Sequence, residues 1–267
     1  LYLFDENDQF HWMNLSMTVE LAAAYKSGAQ RTRVVTEDWG AQNLYCPNCS
    51  SPALSRLAHN TKASDFRCPN CKYEFQLKGQ KSRLGHSVTD GAYRAMMDAI
   101  RSDAAPNYYF MHYDLATWTV RNLLLVPSFA FPPSAIVKRN PLSATARRAG
   151  WVGCNFALHR IPADARISVV AESVALPENE VREKFRRVKP LQEISVKERG
   201  WTLDVLNIVR RLHGTFTNAD VYAFERELEK LHPGNRHIRD KIRQQLQVLR
   251  DMGFLVHVEK SVWKLRG

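Results

Sequence analysis

The chain has 267 residues, enough for one large domain or two ordinary ones with a sizeable core. It carries 38 Lys/Arg against 27 Asp/Glu, a formal net charge of +11, so polyanions are the favoured partners, nucleic acid ahead of an acidic membrane surface. The longest apolar run, residues 123–137, is interrupted by Pro127, Pro132 and Pro133, which excludes a membrane-spanning helix there.

In chain order, the first dozen residues are acidic and aromatic (Asp5, Glu6, Asp8, His11, Trp12) and lack the basic start and apolar centre of a signal peptide. Residues 15–27 read as a helix through Leu15, Val19, Ala22 and Tyr25. Thr36 reads as the cap of a short second helix, which puts Glu37 near a helix N-terminus; there it serves either the helix dipole or a metal site. Cys46, Cys49, Cys68 and Cys71 then follow in a C-x2-C-x18-C-x2-C pattern. Two tight knuckles of this kind present four thiolates tetrahedrally, the signature of structural Zn²⁺. Only Cys154 is left over, which suits a buried small hydrophobe in a reducing cytoplasm better than a disulfide scaffold.

The second knuckle lies in the turn between two expected strands, so a metal there sets the register of a hairpin. In the outgoing strand Tyr73, Phe75 and Leu77 fall on one face and Glu74, Gln76 and Lys78 on the other. Asp65 ends the incoming strand. Phosphodiester hydrolysis needs a divalent metal to offset phosphate charge and a cation or base beside the attacking water. Asp65, the Gln76 amide oxygen and the Leu77 carbonyl are candidate Mg²⁺ ligands. Lys78 is the candidate for orienting or deprotonating the water and stabilising charge. The bland alternative is a zinc ribbon with a solvated polar face.

A basic loop at 79–86 is followed by a helical pattern over 87–101, then strands at 108–113, 120–126 and 166–171, and a charged helix at 178–187. Helices flanking a mixed sheet make residues 1–187 an α/β domain. Between the last strands, Arg147-Arg148-Ala149-Gly150-Trp151 places two cations beside an aromatic ring. Either the arginines grip phosphate while Trp151 packs on bases, or Trp151 is a core or interdomain side chain.

Residues 188–200 read as a linker. From 201 to 267, three helices and a two-stranded wing around Lys260-Ser261 give the winged helix-turn-helix plan. Residues 197–267 have a net charge of +5, denser than the rest. In its third helix Ile238, Ile242, Leu246 and Leu249 share one face. Arg236, Arg243, Gln244 and Gln247 lie opposite, with the Arg and Gln side chains that pair with guanine and adenine edges. Lys260 and Lys264 on the wing are suited to phosphate. Gln245 falls on the apolar side, as a structural amide.

The chain resembles the DpnI-like restriction endonucleases, of the PD-(D/E)xK superfamily. The resemblance is densest in Thr36-Glu37-Asp38-Trp39, Tyr45-Cys46-Pro47-Asn48-Cys49, Asp90-Gly91-Ala92-Tyr93, residues 145–151 and residues 241–247. It implies a Mg²⁺-dependent PD-(D/E)xK nuclease core with a zinc-binding hairpin, followed by a C-terminal winged helix. Both parts would read double-stranded, adenine-methylated DNA of the GATC type. The family's catalytic aspartate falls on Asp65 and its lysine on Lys78. The acidic residue of the E-x-K motif is Gln76 here, which keeps an oxygen ligand but removes a full negative charge. The expected activity is therefore slowed methyl-directed cleavage in a prokaryotic cytoplasm, by a monomer with no small-molecule substrate and no membrane partner. The alternatives are a non-cleaving zinc and winged-helix reader of methylated DNA with an active site weakened by Gln76, and a nuclease selecting DNA structure.

Overall fold

The computed structural model describes residues 13–58, 61 and 63–266; the N-terminal dozen lies outside the described residues. After a 3-10 turn at Val19–Ala24 come helix α1 (Gly28–Asn43) and strands β1 (Ser55–Arg56), β2 (Phe66–Arg67), β3 (Glu74–Gln80) and β4 (Ser87–Ala92). Helix α2 (Tyr93–Arg101) leads to β5 (Asn107–Asp114), β6 (Thr119–Val126), β7 (Ile136–Lys138), β8 (Gly153–Ala157), β9 (Ile167–Ala171) and β10 (Val174–Ala175). Helices α3 (Glu178–Val188) and α4 (Val196–Val209) precede β11 (Thr215–Thr217), α5 (Asn218–Tyr222), α6 (Glu225–Leu231), α7 (Ile238–Asp251), β12 (Leu255–Glu259) and β13 (Val262–Leu265).

Among the described residues the main sheet runs β1-β2-β3-β5-β6-β9-β10. It is mixed: β3 and β5 are parallel and the other pairs antiparallel. One face of β3, with Phe75 and Leu77 buried, meets α1, and Tyr73 just before the strand sets its ring 6.4 Å from Phe185 of α3. Gly79 lets α1 come close on this face, since a Cβ there would lie 3.0 Å from Thr36 Cγ2 and push that side chain aside. On the other face, Tyr108 and Phe110 of β5 pack against Phe131 and against Phe156 of a second sheet, ordered β4-β8-β7. Each fully buried phenylalanine contributes roughly 1.5–3 kcal/mol, so this aromatic layer is a main source of cohesion between the sheets.

The observed α1 corrects two expectations. Residues 15–27 form only a short 3-10 turn, and Thr36 is not a cap but lies mid-helix, its hydroxyl donating to Thr32 O at 2.9 Å. The sequence 28–35 has weak apolar periodicity, and tertiary packing of Val35 and Trp39 decides its helicity. Residues 87–92 are a strand rather than the first half of a helix. Val88 is buried against β8, and the helix begins only at Tyr93.

The C-terminal unit holds α4 to β13, with β11, β13 and β12 as its small sheet. Thr217 and Asp220 form a reciprocal capping box that starts α5. Gln245 is fully buried, accepting from Thr202 Oγ1 at 2.6 Å, as its position on the apolar face implied. Residues 188–200, expected as a linker, carry a 3-10 turn at Lys189–Glu193 and the first residues of α4, with Leu191 and Arg199 buried. The reason is packing: the Arg199 guanidinium pairs with Asp103 at 2.6 and 3.2 Å and also donates to the carbonyls of Gln192 and Ile194. Asp204 accepts from Ser134 Oγ at 2.6 Å, and its other oxygen lies 2.9 Å from His232 Nε2. Arg210, which caps the C-terminal end of the same helix, pairs with Asp164.

Candidate active site and nucleic-acid interface

The four cysteines come together from two knuckles. Their sulfurs all lie within 4.8 Å of one another, with Cys46–Cys71 and Cys49–Cys68 at 3.5 Å. A tetrahedral Zn²⁺ with Zn–S bonds near 2.3 Å requires sulfur separations of roughly 3.8 Å, so the donor set fits zinc in both chemistry and spacing. The second knuckle closes through Lys72 in the left-handed region (φ 65°), with Cys68 N donating to Tyr73 O at 2.8 Å. The Cys68 thiol is held down to about 6; burial raises it, but the N–H groups of Cys71 and Asn70 and hydrogen bonding with Cys49 and Cys71 outweigh that. Arg182 of α3 ties the first knuckle down, its Nε donating to the carbonyls of Cys46 and Cys49 at 3.1 Å.

That turn sets the hairpin register. Phe66 faces Phe75 and Arg67 faces Glu74, which brings Asp65 level with Gln76. Asp65 N donates to Phe75 O at 2.9 Å, and Asp65 Oδ2 accepts from Leu77 N at 2.8 Å. Because β2 begins at Phe66, β3 has no strand partner among the described residues on that edge from Gln76 onward. The open edge, α1 and the second sheet enclose a cleft of about 1100 Å³ whose lining includes Glu37, Asp65, Gln76, Leu77 and Lys78. Gln76 makes no side-chain hydrogen bond among the described residues.

Burial pushes the Asp65 carboxyl above its usual range. The Leu77 N–H opposes this, the Glu37 carboxylate adds to it, and Lys78 and Arg33 pull it back down. Glu37 is therefore part of the site's electrostatics. It sits mid-helix, which removes the dipole explanation, and is bound by Arg56 at 2.5 Å and Arg33 at 3.6 Å. Glu74, on the same face of β3 as Gln76, is occupied elsewhere, accepting from Ser64 Oγ at 2.7 Å and from Arg67. Lys78 does not pair with Asp65. Its ammonium contacts Asp90 of β4, whose only sequence signal is its place in the string Asp90-Gly91-Ala92-Tyr93.

The remaining candidates fall on two surfaces. Arg147, Arg148 and half-buried Trp151 stand on the long β7–β8 loop, with the Arg148 guanidinium 4.6 Å from the Trp151 ring centre. Gly150 supplies the left-handed turn (φ +77°) before Trp151, and a Cβ at Gly153 would come within 2.9 Å of the indole. The ring thus lies outside the main core. Replacing Trp151 with alanine is expected to leave the melting temperature within about 2 °C while reducing selectivity among DNA targets. The change expected is roughly 5–100-fold, the size of one lost base contact; paired melting and competition-binding measurements check this.

On α7, Arg243, Gln244 and Gln247 are exposed, as are Lys260 and Lys264 of the wing. Arg243 is braced by Asp240 and by Tyr222 Oη at 3.3 Å, and Gln244 Oε1 accepts from Lys241 at 2.8 Å. Arg236 is not on this helix. Asn235 Oδ1 accepts from His237 N at 2.7 Å, a turn that delays α7 to Ile238 and puts Arg236 in a separate pocket lined also by Pro133 and Trp201.

A cysteine-clamped hairpin, a mixed sheet with an open-edged cleft, and a basic helix-turn-helix unit define a two-domain DNA-acting protein. Residues 13–194 match the model of the Dam-replacing (DpnI) family, and residues 197–264 match the Dam-replacing HTH domain. The chain belongs to this family of methyl-directed restriction endonucleases. Among the described residues no helix is long and apolar enough to cross a membrane.

Proposed function

We propose that the chain is a Mg²⁺-dependent endonuclease of the PD-(D/E)xK type that hydrolyses phosphodiester bonds in adenine-methylated double-stranded DNA at GATC-type sites. The observation carrying this reading is the convergence of Asp65, Gln76 and Lys78 on one cleft at the unpaired edge of β3. Asp65 and the Gln76 amide oxygen would hold Mg²⁺ together with the Leu77 carbonyl, which leaves the strand on the same edge as the Leu77 N–H that meets Asp65. The bound ion would offset phosphate charge. Lys78 orients the attacking water and donates to a phosphate oxygen as charge builds there. Water adds to phosphorus and gives up a proton to solvent, the bond to the leaving oxygen breaks, and that oxygen takes up a proton from solvent. Four zinc-binding cysteines hold the hairpin that sets this geometry.

In this reading residues 1–187 form the nuclease unit and 201–267 a second reader, joined through 188–200. The Arg147–Trp151 loop contacts DNA at the nuclease unit. Arg243, Gln244 and Gln247 read base edges, Lys260 and Lys264 meet phosphate, and Arg236 adds positive charge at the junction between units. The setting is a prokaryotic cytoplasm whose own DNA lacks the mark, and the chain acts as a monomer.

Gln76 favours one rival, a reader of methylated DNA that does not cut. Nicking of adenine-methylated plasmid with Mg²⁺ decides between them. The native chain is expected to cut slowly and Gln76→Glu about 10–100-fold faster, because a full negative charge is returned to the metal site. No cutting by either protein rejects the hydrolase.

A further inference from the structure

Asp90 is the least expected charge near the cleft. Its side chain is 5% exposed, and its single partner among the described residues is the Lys78 ammonium. A buried carboxylate is costly unless paired, so both position and partner are specified together. β4 delivers it by a local irregularity: Asp90 faces Cys154 of β8, the register shifts at Gly91, and Cys154 Sγ contacts Gly91 O at 3.5 Å. Lys78 itself extends from β3 of the main sheet. The contact therefore crosses between the two sheets at the wall of the cleft.

We infer that Asp90 is a positioning residue for the cleavage reaction, holding the Lys78 ammonium at the cleft wall so that its remaining N–H donors face the scissile phosphate. This rests on the hydrolase reading above and extends it to a residue outside the Asp65, Gln76 and Lys78 set. An ammonium has three donors, and one engaged with Asp90 leaves two for water and phosphate oxygen. A four-carbon side chain is otherwise flexible, and its freedom is a direct loss to a reaction that depends on placement. The same carboxylate balances the cation, so Lys78 is held without drawing on Asp65, which remains available to a metal.

The test compares Asp90→Asn, Asp90→Glu, Lys78→Ala and the Asp90→Asn/Lys78→Ala double variant as full chains. Single-turnover cleavage of methylated duplex in Mg²⁺, DNA affinity without metal, and the NMR order parameter of the Lys78 ammonium are measured. Asp90→Asn is expected to slow cleavage on the order of 10–100-fold, the scale of a lost charge-assisted hydrogen bond. DNA affinity should stay within about twofold, and the Lys78 ammonium should become disordered. Asp90→Glu should restore part of both losses, and Asp90→Asn should cost nothing further once Lys78 is alanine. Unchanged ammonium order in Asp90→Asn, or an equal loss of rate in the Lys78→Ala background, overturns the inference. If neither the native chain nor Gln76→Glu cuts, the hydrolase reading fails and takes the proposed role of Asp90 with it. The ammonium order then still reports whether Asp90 places Lys78.

Discussion

Lys78→Ala is expected to lower single-turnover cleavage of adenine-methylated DNA by about 10²–10⁴-fold, the range for removing a group that acts on the attacking nucleophile. That corresponds to roughly 3–5 kcal/mol of barrier. Duplex binding without metal should change only a few-fold, because Lys78 is one cation among many on a chain of net charge +11. The substitution also leaves Asp90 buried without its partner, so melting temperature must be followed in parallel. Retention of more than about a tenth of the native rate by a folded variant would remove Lys78 from the reaction.

Stripping metal from the cysteine knuckles is expected to have the larger effect on the fold. Structural zinc in small motifs binds with about 10–16 kcal/mol, as large as the whole stability of an ordinary domain at about 5–15 kcal/mol. Chelation, or Cys68→Ser, should release one zinc per chain, broaden or lower the thermal transition sharply, and abolish cleavage. The link between metal and cleavage is geometric: the Phe66–Phe75 register starts at the second knuckle, and Asp65 meets Leu77 N through it. Elemental analysis with calorimetry reads this directly. A metal-stripped protein that melts as before would show that the thiols close the knuckles unaided.

The parts of the molecule legible from residues alone are those with a short-range signature. Cysteine spacing located the knuckles, alternation over 73–78 gave the two faces of β3, and helical periodicity gave α7 with Gln245 turned inward. What escaped depends on contacts distant in sequence. Residues 28–35 have no strong apolar period and are helical because α1 packs along β3, where Gly79 admits Thr36. β7 and β8 are short and split by a long loop, so the second sheet left no clear pattern. With that sheet unseen, the partnership of Asp90 with Lys78 was invisible. Glu37 was visible only as an acid on an early helix. Its pairing with Arg56 and its push on Asp65 are products of tertiary packing.

The junction around α4 bears on how such a protein can be cut apart or recombined. Arg199, Asp204 and Arg210 each reach from this helix to Asp103, Ser134 and Asp164 on the other unit, and Leu191 and Trp201 are buried nearby. An excised front fragment would expose greasy surface and strand two carboxylates, making it prone to precipitate. Swapping the back unit for another reader therefore demands that α4 travel with its docking partners, which makes the pair a single heritable block.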